Sequence, residues 1–139
     1  MSSRSRRYSR RSRVQGIEDY RRQAYGFLVK GRQYLEDGEL HQACEKGWGA
    51  ASHMVKAYAA ANGLRYDTHR HFHVILTNLA NETDDDNLGL LRDAANGLHE
   101  SFYQREMFLD ARDIGRSLDR MGELLEQLDA RTPQEDRVQ

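Results

Sequence analysis

In the stretch "LRDAANGLHESFY", from Leu91 to Tyr103, the polar residues Arg92, Asn96, His99 and Tyr103 recur at intervals of four, three and four. On an α-helix, seven residues return to within about 20° of the starting direction and advance about 10.5 Å, so these four side chains form one stripe. Metal-free cleavage of a phosphodiester requires a general acid or base near neutral pH and a cation, roles that histidine and arginine can supply. Histidine titrates near neutrality and serves as general acid or base. The guanidinium offers a planar fork of donors to the charge that develops on phosphorus oxygens. With a 2′-hydroxyl as nucleophile the substrate would be RNA, Arg92 holding phosphate and His99 moving the proton. Asn96 and Tyr103 would be supporting donors. Two turns apart on one helix, Arg92 and His99 cannot easily act on one atom. A second copy crossing antiparallel would bring the arginine of one chain to the histidine of the other, so the chemistry calls for a homodimer. The plainer reading is two polar residues sharing the edge of a core, because the stripe lies about 100° from the apolar line Leu88, Leu91, Ala95, Leu98, Phe102.

Other reactive residue types give weaker patterns. "THRHFH" sets His69 and His73 four apart on one helix face, a spacing used by zinc ligands, but no H-E-x-x-H order follows and Cys44 and His53 are only loosely placed as further ligands. A structural role is expected there, with no metal and no cofactor. Cys44 is the single cysteine, which excludes an intrachain disulfide and suits a reducing compartment. It falls on an apolar helix face, where cysteine behaves as a small hydrophobe. The glycines are dispersed within helical segments rather than gathered into a phosphate loop.

The elements that must carry these residues are helical throughout. The chain of 139 residues has one proline, Pro133, few β-branched residues and abundant Ala, Leu, Glu, Asp and Arg. From Ile17, a face of Tyr20, Ala24, Phe27, Leu28, Val29 and Leu35 predicts a first helix closed near Gly38. Leu40, Ala43, Gly47, Ala50, Met54 and Ala57 predict a second, stopped at Asn62-Gly63. Gly47 and Gly49 each cost about 1 kcal/mol inside a helix. Close approach of another helix beside Trp48 would offset that, which makes Gly47, Trp48 and Gly49 a candidate interface. Asp67 or Thr68 caps a third helix with Phe72, Ile75, Leu76 and Leu79 inward. A fourth helix follows "NETDDDN", and a fifth starts near Asp110 with Ile114, Leu118, Met121, Leu125 and Leu128 inward. The expectation is an all-α antiparallel bundle of about five helices over residues 15–130, with a flexible tail at 131–139.

Residues 1–14 are expected to form a disordered basic arm. Arg4, Arg6, Arg7, Arg10, Arg11 and Arg13 are six arginines with no acid among the first 13 residues. Beyond them the remaining 126 residues hold 15 basic and 22 acidic side chains, a balance of −7. Such an arm, with Tyr8 in it, can neutralise phosphates and stack on bases, or it can simply be a solvated extension. It lacks the apolar segment of an export signal, and no run is long enough to span a membrane, so a cytoplasmic location without membrane partners is the expectation.

"YLEDGELHQACEKGWGAASHMVKAYAA" resembles the first helical hairpin of the HEPN superfamily (higher eukaryotes and prokaryotes nucleotide-binding domains), through Leu35, Gly38, Ala43, Glu45, Lys46, Lys56 and Ala57. With Thr68-His69 and "LHESFY" at 98–103 it is most similar to the archaeal PaREP branch. The resemblance runs from about Ile17 to Leu128. It implies an all-α bundle, often dimeric, within a superfamily rich in metal-independent ribonucleases, many of them toxins paired with a nucleotidyltransferase-like antitoxin. It also implies a catalytic motif of Arg, a polar residue, and His four to six residues on, matched by Arg92, Asp93 and His99 with six residues between. The sequence therefore leads to a domain that binds RNA or nucleotide, with metal-independent endoribonuclease activity of the toxin–antitoxin type as its sharper form. The alternative is a non-catalytic protein-interaction or antitoxin-like module using the Gly47/Trp48/Gly49 surface.

Overall fold

The structure is a computed structural model that describes residues 2–103 and 109–133, with the side chains of residues 2–15 and of residue 103 outside the description. Five helices follow in order: α1 (Ser2–Glu36), α2 (Leu40–Ala61), α3 (His69–Thr83), α4 (Asp86–Tyr103) and α5 (Ala111–Ala130). Among the described residues there is no strand, and the architecture is the all-α bundle that the periodicity predicts.

Local chemistry sets each boundary. Gly38 ends α1 with φ +79°, a left-handed conformation open to glycine. Glu39 N–H then donates to Tyr34 O at 2.8 Å and Gly38 N–H to Leu35 O at 3.1 Å, so two otherwise orphaned carbonyls are satisfied. Gly63 does the same for α2 (φ +68°), with Leu64 N–H donating to Ala59 O at 2.8 Å. Thr68 caps α3, its hydroxyl accepting from His71 N–H, while His71 Nδ1 accepts from the Thr68 and Asp67 N–H groups at 3.2 and 2.9 Å. Asp110 caps α5, accepting from Asp113 N–H at 2.8 Å.

The helix α2 is central. It packs on α1, α4 and α5, and more lightly on α3, and it buries Ala43, Cys44, Gly47, Ala50, Ala51, Met54, Val55, Ala57 and Tyr58. A helix apolar on so many sides belongs inside, and its small residues let neighbours come close. A Cβ at Gly47 would stand 2.7 Å from Leu118 Cδ2 and 2.8 Å from Leu98 Cδ1, so α4 and α5 press directly on its backbone. At Gly31, α1 approaches α2 closely enough that a Cβ would meet the Ala43 carbonyl and the Gly47 nitrogen at 3.5 Å. The middle of α1 is tied to the C-terminal end of α5 by Arg21, whose Nε donates to Asp129 Oδ1 at 2.7 Å, and by Tyr25, whose hydroxyl donates to Asp129 Oδ2 at 2.9 Å.

The helix α1 begins at Ser2; arginine is a good helix former, and extending a packed helix avoids a new nucleation cost. Val29 is exposed, because Ala24 and Leu28 with Gly31 make the inward line of α1. Thr132, placed by the sequence in a flexible tail, is buried and donates its hydroxyl to Leu128 O at 2.7 Å; residues 134–139 lie outside the described residues.

Candidate functional site

The polar stripe of α4 meets α3 in an antiparallel ladder. Arg92 Nη1 donates to Thr77 Oγ1 at 2.8 Å, Asn96 Nδ2 lies 3.3 Å from His73 Nδ1, and the His99 ring stacks on His69. Each step along α4 is matched by a step back along α3, which is why residues 92, 96 and 99, spaced four and three, find partners at 77, 73 and 69. Arg92 also binds its neighbour Asp93, Nε to Oδ1 at 2.9 Å, and its side chain is only 19% exposed. Asn96 Oδ1 is buried without a hydrogen-bond partner, the one such side-chain atom among the described residues. The histidines at 69 and 73 share a helix face but go to different partners, His99 and Asn96.

At the end of this ladder an open pocket of about 600 Å³ lies between α1, α2, the 62–68 connection, α3 and α4. Its wall carries Tyr20, Trp48, Ser52, Lys56, Tyr66, His69 and His99. Trp48, Ser52 and Lys56 are four apart along α2, so one helix face presents all three. The rings form a layered cluster. The planes of His69 and His99 are 14° from parallel with centroids 4.5 Å apart, Trp48 lies 4.4 Å from His99 and 5.0 Å from His69, and Phe72 supports Trp48 edge-on at 4.7 Å. Phe72 is fully buried and His69 is exposed, so the cluster runs from the core to the surface.

The polar groups of the pocket are arranged around these rings. Lys56 Nζ sits between two phenols, 5.9 Å from the Tyr20 centroid and 5.7 Å from that of Tyr66. The Ser52 and Tyr66 hydroxyls share a hydrogen bond of 2.9 Å. Asp67 is at the rim and is ion-paired with Arg65. Burial, and then the neighbouring His69, hold the His99 imidazole below its ordinary pKa, against a smaller pull upward from Glu100. Burial pushes the Tyr66 phenol up. Near pH 7 His99 is thus a neutral ring, able to accept or donate one hydrogen bond and to stack.

The residues expected from sequence divide between settings. His99 and Trp48 line the pocket; Arg92 and Asn96 lie along the α3–α4 seam, while Asp93, bound to Arg92, is exposed on the side of α4 that faces α5. Gly47 is buried against the chain's own α4 and α5, and Gly49 faces Phe27, where a Cβ would stand 3.3 Å from Cδ2. The close approach that these glycines imply is therefore met within the chain. The side chains of Tyr103 and of Arg4, Arg6, Arg7, Arg10, Arg11 and Arg13 lie outside the described residues. Sequence reasoning missed Lys56, Ser52, Tyr20 and Tyr66 as site residues. The one available signal was the spacing of Trp48, Ser52 and Lys56, since nothing local brings Tyr20 or Tyr66 to that face.

Residues 19–121 match the model of a protein family described as the Archaeal PaREP1/PaREP8 family, and every pocket residue named above lies within the matched stretch. No curated protein matches the chain.

Proposed function

Since the chain belongs to the archaeal PaREP1/PaREP8 family, whose matched stretch includes the whole pocket, we propose that it binds a nucleotide or an RNA nucleotide in the Trp48–His69–His99 pocket. The observation that carries this is the shared placement of a stacked aromatic cluster and a lysine ammonium in one opening of about 600 Å³. That volume falls in the range of small-molecule sites. Any base can stack on such rings, and the ammonium answers the phosphate. The resemblance of the α1–α2 block to HEPN domains supports the same direction.

Trp48 is the only tryptophan, so its emission reports directly on the pocket. Titration with mononucleotides and short single-stranded RNA should quench it saturably. Lys56→Ala should weaken binding about tenfold or more, the loss of one charge-assisted contact. Unchanged Trp48 emission at millimolar nucleotide would remove the reading.

Cleavage is the sharper form of this function. It is supported by a neutral His99 in the pocket, fit to act as general base without a metal. Lys56 is the cation on the same wall, whereas Arg92 would first have to leave Thr77 and Asp93. A homodimer and a nucleotidyltransferase-like partner remain part of the proposal through the resemblance alone.

A further inference from the structure

We infer that the pocket selects a terminal phosphate, the dianion of a phosphomonoester, over an internal phosphodiester, and that the His69–His99 pair takes up a proton as this group binds. It rests on the nucleotide-binding function proposed above. Three groups able to carry positive charge line the pocket: Lys56 from α2, His69 from α3 and His99 from α4. The two imidazoles lie face to face at 4.5 Å, so charging both would set like charges in contact. A ligand with one negative charge is balanced by Lys56 alone. A dianion leaves a second charge unmet, and that charge is what makes protonating one ring favourable.

The other charged and titratable groups around the pair do not remove this need. Asp67 is neutralised by Arg65 at the rim. Glu100, on α4 itself, favours a proton on His99 and so lowers the cost of uptake. Tyr20 from α1 and Tyr66 from the connection before α3 are neutral phenols that flank Lys56. The pocket would accordingly read a mononucleotide or the phosphorylated end of a strand rather than its middle.

Calorimetry on the full chain at about pH 7.5, in two buffers of different ionisation enthalpy, tests this. The probes are the four nucleoside 5′-monophosphates, the four nucleosides and dinucleoside monophosphates with a single diester. At that pH the monophosphates are already dianions, their second pKa being about 6, so any proton taken up goes to the protein. The monophosphates should bind about tenfold or more tightly than nucleosides and diesters, with a heat that depends on buffer and a net uptake of up to one proton. The double variant His69→Gln/His99→Gln, checked for helix content, should lose both the uptake and the preference, whereas either single variant keeps one ring able to take the proton. Equal affinity for monophosphate, nucleoside and diester, or a heat independent of buffer, would overturn the inference and leave nucleotide binding in place. No binding of any probe would end both. The buffer comparison on the unmodified protein decides the matter even if a variant fails to fold.

Discussion

His99 owes its properties to what stacks on it. Its ring lies against both Trp48 and His69, which also touch each other, and burial and the second histidine both resist its protonation. Its titration, followed by NMR, should therefore have a midpoint below the ordinary histidine value of about 6.5, and His69→Gln should raise that midpoint by removing the like-charged neighbour. His53, enclosed by Tyr20 and Phe27 with Nδ1–H donating to Gly49 O at 2.8 Å, is also held down, chiefly by burial. In the unfolded chain neither ring resists protonation. Stability from both is thus complete above the ordinary histidine pKa and is lost as pH falls through the depressed folded values. The melting temperature should fall as pH drops below the ordinary histidine pKa of about 6.5, and His53→Gln should flatten that fall. Arg92 differs in kind. Arg92→Ala removes the bond to Thr77 and should cost about 0.5–1.5 kcal/mol in chemical denaturation. If Arg92 acts only along the seam, nucleotide affinity should survive the change; a comparable loss of affinity would make it a phosphate ligand as well.

Among the helices, α2 decides how closely the others approach. Gly47→Ala gains helix propensity yet places a methyl against both Leu118 and Leu98, each fully buried and without room to retreat. It should destabilise by about 1–3 kcal/mol, the usual cost of overpacking. Gly97→Ala, in the middle of α4 with nothing within 4 Å of the new methyl, should instead stabilise by about 0.4–1 kcal/mol. Paired denaturation curves check the contrast, and equal shifts would mean that α4 and α5 do not press on α2 at residue 47. The register of α3 against α4 has a comparable role, since the ladder of residues 92, 96 and 99 on 77, 73 and 69 sets the two histidines face to face.

For the whole molecule, charge is the governing quantity. A body with a balance of −7 beyond residue 13 repels a polyanion, and the six arginines before it reverse that sign locally. Deleting residues 1–13 should weaken binding of single-stranded RNA and make the slope of log affinity against log salt shallower, because fewer counterions are released. Mononucleotide binding at Trp48 should hardly change. An unchanged salt slope for RNA would show that the arm does not touch it. No described helix is long and apolar enough to cross a membrane.

The helices, their ends and most of their buried lines were legible in the chain itself, because they depend on local causes. Apolar spacing of three and four marks the inward line, Gly38 and Gly63 accept left-handed turns, and Thr68 and Asp110 carry side chains that reach back to free N–H groups. His99 and Trp48 could be named from sequence for the same reason, as polar or aromatic residues at the edge of an apolar face. Their meeting could not. It requires α2, α3 and α4 to pack in one register, bringing together residues 48, 69 and 99 that no local interaction links. Arg92 shows the converse: its spacing from His99 is a property of one helix, but its partner is set by the helix packed alongside, and that helix offers Thr77. Side-chain periodicity determines which face a residue occupies; only tertiary packing determines what it faces.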